Sequence, residues 1–157
     1  MNKDALRAAV IANLQAELAR QTHAALDSRE ESISEESRAE NKYDTHAQEA
    51  AYLAEGQARL ASELAEGIAA WRSFALPPEG HSRVQLGSLV TLAVGPRTDH
   101  LLLGPSNGGL SVTHEGMEIT VITPTSPIGR ALLGQSVGTT LPPPRKGSPA
   151  PRITALG

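Results

Sequence analysis

Cysteine is absent from this chain, and aromatic residues make up only 3% of it. Without cysteine the protein forms no disulfide, no thiolate metal site and no cysteine nucleophile. The few aromatic side chains all lie before residue 76, so residues 76–157 contain no Phe, Tyr or Trp. An aromatic-lined ligand pocket is therefore excluded from the second half of the chain.

A basic cluster and a long apolar run are also missing. The formal net charge is −3 over 157 residues. A net-acidic chain of this kind is a poor candidate for binding duplex DNA directly through its phosphates. The N-terminus lacks the apolar core of a signal peptide, and no apolar run approaches the roughly 20 residues that span a bilayer. We therefore expect a cytoplasmic protein that contacts neither duplex DNA nor a membrane.

Charge is distributed unevenly along the chain. Residues 1–75 carry 13 carboxylates against 8 Lys and Arg, whereas residues 76–157 carry 4 carboxylates against 6. Such an asymmetry is typical of two parts that meet different partners.

Hydrophobic spacing predicts two helices in residues 1–75. Apolar residues recur at steps of three and four, which places them on one face of a helix. Two such helices can bury these stripes by pairing antiparallel, and small alanine side chains permit a close approach. The same pattern also fits a coiled-coil adaptor that dimerises through this half. The stripes consist of Leu6, Val10, Ile11, Leu14, Leu18 and Ala25, and then of Ala47, Ala50, Leu53, Gln57, Leu60, Leu64, Ile68 and Trp71.

An acidic stretch, residues 30–44, separates the two predicted helices. Strongly charged segments of this kind are not found in protein cores. We therefore predict that the stretch forms the exposed end of a helical hairpin, with its tip near residues 35–44. Glu36 and Glu40 are four residues apart and would share a helical face, which Asp44 continues. The stretch contains Glu30, Glu31, Glu35, Glu36, Glu40 and Asp44 against Arg38 and Lys42.

The second half has a different pattern. Two prolines and a glycine at residues 77–80 predict a linker over residues 76–84. Residues 85–157 then alternate short β-type runs with turn signals. Residues 127–133 fit one short helix with Pro127 in its first turn and Ser126 or Thr125 as its N-cap. The prediction is an α+β protein, in which a small antiparallel β domain with one short helix follows the hairpin. The β-type runs are 86–94, 100–103, 110–113, 117–123 and 152–156.

Several of these residues resemble a known family. Residues 123–134 read T-P-T-S-P-I-G-R-A-L-L-G, which is similar almost letter for letter to a signature of the Gre-type transcript-cleavage factors of bacterial RNA polymerase. Leu102-Leu103-Gly104-Pro105 precedes it in the family's order. Glu40-Asn41 resembles, more weakly, the Glu-Asn of the family's acidic tip, and Glu55-Gly56 falls where a later Glu-Gly is expected.

The resemblance implies a function for each half. It implies an antiparallel coiled-coil hairpin joined to an FKBP-like C-terminal domain, with RNA polymerase as the partner. The hairpin tip would enter the polymerase's secondary channel and share a Mg²⁺ ion with it, acting only indirectly on the 3′ end of the nascent RNA. Magnesium commonly takes one or two carboxylates, with water and phosphate completing its shell. The implied residues are Glu36, Glu40 and Asp44 as catalytic carboxylates, Glu36 and Glu40 as metal ligands, Asn41 and Lys42 as tip support, and Thr125, Ser126 and Pro127 as the polymerase-docking surface.

One departure from the family pattern leaves two functions open. The family's tip aspartate precedes its Glu-Asn by three residues, and that position is Ser37 here. The factor would either stimulate cleavage of backtracked transcripts, through Glu36 or its neighbours, or occupy the channel as a non-cleaving competitor. In both cases it would complete or block the polymerase's active site and would not be an enzyme alone. An adaptor or chaperone with an inactive FKBP-like domain is the alternative from a different class.

Overall fold

The computed structural model describes the backbone of residues 1–38 and 45–157, and the side chains of these residues except 28, 32, 34–38 and 45–47. It confirms the predicted α+β class. The chain divides into two compact units, a helical unit of Ala12–Ala69 and a β unit of Met1–Ile11 with Ala70–Gly157. The elements in chain order are α1 (Lys3–Arg38), α2 (Thr45–Ser73), β1 (Leu89–Val94), β2 (Arg97–Leu103), β3 (Ser111–His114), β4 (Met117–Ile122), α3 (Pro127–Leu132) and β5 (Arg152–Leu156).

The helical unit contains most of α1 and α2, whose turns line a common groove. On α2 this groove is bordered by Ala51, Ala54, Ala58 and Ala61. Two residues of the predicted stripe on α2, Leu53 and Leu60, do not line this groove and are 56% and 49% exposed. Successive helical residues are turned by about 100° from one another, so alanines only one residue away from the leucines face another direction. The prediction that these leucines are buried was therefore wrong.

The two ends of the helices that belong to the β unit are held beside each other. The Lys3 ammonium donates to the Pro77 carbonyl at 2.9 Å, and the Arg7 guanidinium donates to the Phe74 carbonyl at 3.3 Å. Burial lowers the pKa of Lys3, an effect that the charge of Glu79 opposes. The start of α1 thus lies next to the end of α2, as an antiparallel hairpin requires.

The β unit is built on one five-stranded sheet with strand order β3-β4-β2-β1-β5. All neighbouring strands are antiparallel except β2 and β4, which are parallel, so the predicted antiparallel sheet is in fact mixed. The chain leaves β2, forms β3 at the sheet edge and returns as β4 between them. Burial explains this order, because β3 buries only Val112 whereas β4 buries Ile119, Val121 and Ile122. A strand with one buried side chain suits an edge, and one with three suits the interior.

One face of the sheet carries a cluster of buried hydrophobic residues. Leu132 from α3 is fully buried in this cluster, and Ile128 and Ala131 of the same helix pack against it. Both flanks of the tail segment 141–151 are also anchored, since Leu141 and Ile153 are 3% and 0% exposed. The core residues are Val84, Val90, Leu92, Leu103, Ile122, Leu132, Leu141 and Ile153.

The segment predicted as a linker, 76–84, is irregular but is tied to the β unit. Val84 belongs to the core and exchanges backbone hydrogen bonds with Gly134 and Gln135. His81 bridges the Pro78 carbonyl and the buried Ser88 hydroxyl, with ring nitrogens 3.0 and 2.6 Å away. The prolines do end the helix, but the segment is a packed part of this unit.

None of the helices, over the part of the chain that the structure describes, is both long and apolar enough to cross a membrane.

Trp71, the only tryptophan, is fully buried against the backbone of Gly104. A Cβ at Gly104 would lie 2.3 Å from the indole Cζ2 atom. The ring of Phe74 meets the Trp71 ring edge-on at a centroid distance of 5.5 Å. The Leu-Leu-Gly-Pro sequence therefore contains glycine because the indole occupies the space of a side chain.

We expect Gly104→Ala to lower the free energy of unfolding by about 1–3 kcal/mol, the usual effect of overpacking. It should also change the emission of Trp71, since the indole must move. Chemical denaturation followed by Trp71 fluorescence measures both. Gly56→Ala is the control, because a side chain there meets nothing within 4 Å and should stabilise α2 by up to about 1 kcal/mol. Equal stability of Gly104→Ala and the parent would contradict this packing.

Candidate partner-docking site

The turn before α3 holds the three residues predicted to dock on a partner. Ser126 is the N-cap of α3, and its hydroxyl accepts a hydrogen bond from the Gly129 amide at 3.0 Å. The same hydroxyl donates to the Thr123 carbonyl at 2.7 Å. Pro127 occupies the first turn, where a missing N–H is not needed. Of the two predicted N-caps, Ser126 and Thr125, the structure shows Ser126, and the predicted proline at the helix start is confirmed.

Gly129 makes this turn possible. A Cβ at this position would lie 1.9 Å from the Thr123 carbonyl oxygen, which no side chain could tolerate. The first turn of α3 therefore packs directly on the backbone that follows β4. The Pro-Ile-Gly order of the signature has a structural cause, because proline starts the helix and glycine admits the neighbouring carbonyl.

The three predicted docking residues differ in what they can offer a partner. Ser126 is half-buried, and its only proton is committed to Thr123. Thr125 and Pro127 are exposed on either side of it, and the Thr125 hydroxyl lies 3.1 Å from that of Thr123. Arg130, in the last turn of α3, is also exposed. Ser126 thus shapes the turn, whereas Thr125, Pro127 and Arg130 are available for contact.

The predicted tip residues are only partly covered by the structure. Glu36 belongs to the last turns of α1, but its side chain is not among those described. Glu40, Asn41, Lys42 and Asp44 lie outside the described residues. The structure therefore describes the backbone of the acidic stretch as far as Arg38, the end of α1, and again from Thr45, the start of α2.

No group of three His, Asp or Glu side chains within metal-binding reach occurs in the described parts of the chain. Of the histidines, His81 and His100 are engaged with neighbouring hydroxyl groups, at 2.6 Å from Ser88 and 3.3 Å from Thr91. These two histidines therefore have local structural partners.

Sequence reasoning did not single out Gly104, Gly129 or Trp71 as structural determinants of the family-like segments. The available signal for Gly129 was a glycine in the first turn of a predicted helix, two residues after Pro127. Glycine is unfavourable inside a helix by about 1 kcal/mol relative to alanine, so its presence there implies a close backbone approach. Nothing in the sequence pairs Gly104 with Trp71, which is 33 positions away.

Comparisons with known proteins find similar chains only among solved structures. A scan against protein-family models finds no matching family, and a search of curated proteins finds no matching protein. Among solved structures, the chain is similar to Gre-type transcription factors. GreA factor homolog 1 (Gfh1) of Thermus thermophilus is 21% identical, with 94% of each chain covered and a TM-score of 0.36. Thermus aquaticus Gfh1 is 24% identical, with 92% of each chain covered and a TM-score of 0.36.

A third similar structure is the prokaryotic transcription elongation factor GreA/GreB from Nitrosomonas europaea. It is 27% identical, with 64% of this chain and 78% of that chain covered and a TM-score of 0.37.

Ser126→Ala should destabilise the β unit by about 1 kcal/mol, the usual cost of losing an N-cap. The Gly129 amide and the Thr123 carbonyl would both lose a partner. Ser126→Thr keeps the hydroxyl and should remain near the parent. Amide hydrogen exchange at Gly129 and urea denaturation check both variants, and unchanged protection of Gly129 in Ser126→Ala would show that the cap is not formed.

Proposed function

We propose that this chain is a Gre-type transcription factor that binds RNA polymerase and inserts the acidic end of its helical hairpin into the polymerase's secondary channel. The observation that carries the proposal is the signature at residues 123–134. Its first residues form the turn before α3, and this turn lies at the surface of the β unit. Ser126 and Gly129 fix this turn, and Thr125 and Pro127 are presented to solvent. Two helices precede the signature, and the acidic stretch begins within the end of α1 and continues to Asp44, before α2.

The turn suits docking because contacts within the chain hold its backbone, so that it would not have to be ordered on binding. Side chains and loops that must be ordered on binding each cost roughly 0.5–1.5 kcal/mol. Here the backbone is held by the Ser126 hydroxyl and by the contact of Gly129 with Thr123. A partner surface would therefore gain the contacts of Thr125 and Pro127 without ordering the turn.

The acidic stretch suits a site that needs further carboxylates to hold a Mg²⁺ ion. It carries six carboxylates against two cations over 15 residues. Because like charges in a compact region repel one another, the stretch would gain from a cation or a basic channel around it. In two-metal phosphoryl chemistry one ion activates a water and the other stabilises the leaving oxygen. The tip carboxylates, Glu36, Glu40 and Asp44, would help to hold one Mg²⁺, while the polymerase supplies the rest of the site.

Two versions of this function differ in the tip alone. With Ser37 at the family's aspartate position, the neighbouring Glu36 or Glu40 must supply the missing carboxylate if cleavage is stimulated. If neither does, the factor occupies the channel and competes without cleaving. Both versions require polymerase binding, so the binding measurement comes first and the cleavage measurement separates them.

We expect the triple variant E36A/E40A/D44A to bind core RNA polymerase like the parent but to reduce transcript cleavage in backtracked complexes by at least about tenfold. That loss corresponds to roughly 1.4 kcal/mol of transition-state stabilisation. E63A is a matched control, since Glu63 is an exposed carboxylate of α2 outside the acidic stretch.

Three results are informative in this experiment. A parent chain that does not bind polymerase at low salt removes the proposal. Binding without any parental cleavage selects the competitor. Equal cleavage by the triple variant and the parent would show that the tip carboxylates do not take part.

A prolyl isomerase assay tests the function that an FKBP-like fold alone would suggest. Isomerases of that fold hold proline in an aromatic-lined pocket, and residues 76–157 contain no aromatic residue. Fold alone is a poor guide to activity. We expect no acceleration of cis–trans exchange in a prolyl peptide over the buffer rate, and clear turnover would contradict this reading of the β unit.

A further inference from the structure

The last 39 residues of the chain, 119–157, contain no Asp or Glu. Their four cations are all exposed. Among the described residues none of these four forms an ion pair or a side-chain hydrogen bond. By contrast, Arg97 is paired with Asp99 at 2.7 Å. The unpaired cations are Arg130, Arg145, Lys146 and Arg152.

Two of these cations stand at the tip of a constrained loop, residues 141–151, which we call the proline loop. Its base is closed by a hydrogen bond of 2.7 Å from the Leu141 amide to the Pro151 carbonyl. Both flanks are fixed in the core by Leu141 and Ile153. The two ends of the loop are therefore held together by a hydrogen bond, and a buried side chain anchors the chain at each end.

The tip itself is a tight turn. The Ser148 amide donates to the Arg145 carbonyl at 3.0 Å, and Gly147 has a φ of 86°. A positive φ at the third position of such a turn is the reason for a glycine there. Arg145 and Lys146 are the first two residues of this turn, so their side chains start from a defined backbone.

Prolines stiffen the two arms of the loop. Pro142, Pro143 and Pro144 are consecutive and exposed, and each has a fixed φ and no backbone donor. On the returning arm, a side chain at Gly95 would come within 3.2 Å of the Pro149 ring, so this proline packs on the turn after β1. The basic tip is therefore presented on a preorganised support, which lowers the cost of binding.

We propose that the proline loop is a docking element for an acidic protein surface, which Arg145 and Lys146 recognise. Charged groups at the rim of an interface mainly raise the association rate and its salt dependence. Arginine and lysine suit carboxylates, and residues 119–157 contain no Asp or Glu side chain that would compete for them within this segment.

A nucleic acid fits this surface less well than a protein. Proteins that bind nucleic acids usually carry a strongly basic patch, and those that bind single strands stack the bases on aromatic side chains. The chain is net acidic, and residues 76–157 contain no aromatic residue. An acidic protein surface needs neither feature.

The proposal rests on the proposed function for the identity of the partner, since it places the acidic surface on RNA polymerase. The turn at Thr125–Pro127 belongs to the same acid-free segment as the proline loop. The β unit would thus meet an acidic region of the polymerase, whereas the acidic stretch of the hairpin would meet a basic one.

The test measures binding of the full chain to core RNA polymerase over a series of salt concentrations. R145E/K146E should bind about tenfold more weakly than the parent at low salt, and the difference should shrink as salt screens the charges. R145K/K146R keeps both charges on the same loop and should bind like the parent. R72E is a second control, since Arg72 is an exposed cation outside the acid-free segment.

Each outcome bears on a different part of the proposal. Failure of the parent to bind removes the proposed function and this docking role together. Parental binding combined with equal affinity and salt dependence for R145E/K146E removes only the role of the proline loop. Weaker binding of R145E/K146E to single-stranded RNA, with unchanged binding to polymerase, would show that the loop recognises phosphate and would also overturn the proposal.

Discussion

The close approach of two backbone segments at Thr123 and Gly129 determines the exposed surface of the β unit. Because the Thr123 carbonyl oxygen occupies the space of a side chain at Gly129, the first turn of α3 packs directly on this carbonyl. The Ser126 hydroxyl then joins the same carbonyl to the first turn of the helix. One fully buried leucine, Leu132, attaches this helix to the sheet. The shape of the candidate docking turn follows from these contacts and does not depend on a partner.

Two segments of the chain carry charge of opposite sign, the acidic stretch at residues 30–44 and the acid-free segment at residues 119–157. The acidic stretch has too few apolar residues to be buried, and the acid-free C-terminal segment leaves its four cations without partners. The four cations are exposed and do not belong to the core of the β unit. Both charged segments are explained if they contact a large partner that has a basic channel and an acidic rim, which is the arrangement that we propose for the polymerase.

Local patterns predicted most of the secondary structure. The bounds predicted for β5 and for the start of α3 agree with the structure, since turn signals and a capping serine are encoded in neighbouring residues. Pairing was predicted less well. The parallel pairing of β2 with β4 arises because residues 104–110 carry the chain past the position of β4 to the sheet edge, where β3 forms. In the sequence, the greater burial of β4 is visible only as the richer apolar content of residues 117–122. The contact of Trp71 with Gly104 depends on packing between distant segments, which no local pattern encodes.

The candidate site was predicted unequally for the same reason. The roles of Ser126 and Pro127 in starting α3 follow from their order in the sequence, whereas the commitment of the Ser126 hydroxyl to Thr123 required coordinates. The leucines of α2 show the limit of periodicity, because Leu53 and Leu60 fit a buried stripe but alanines border the groove instead.

The absence of cysteine allows a direct measurement of where the acidic stretch lies in a complex. Ser37→Cys would introduce the only thiol of the protein, which can carry a short photo-crosslinker. In a complex with core RNA polymerase, we expect crosslinks to residues that surround the polymerase's catalytic magnesium. Crosslinks confined to the outer surface of the polymerase, or to a second copy of this chain, would contradict insertion of the hairpin.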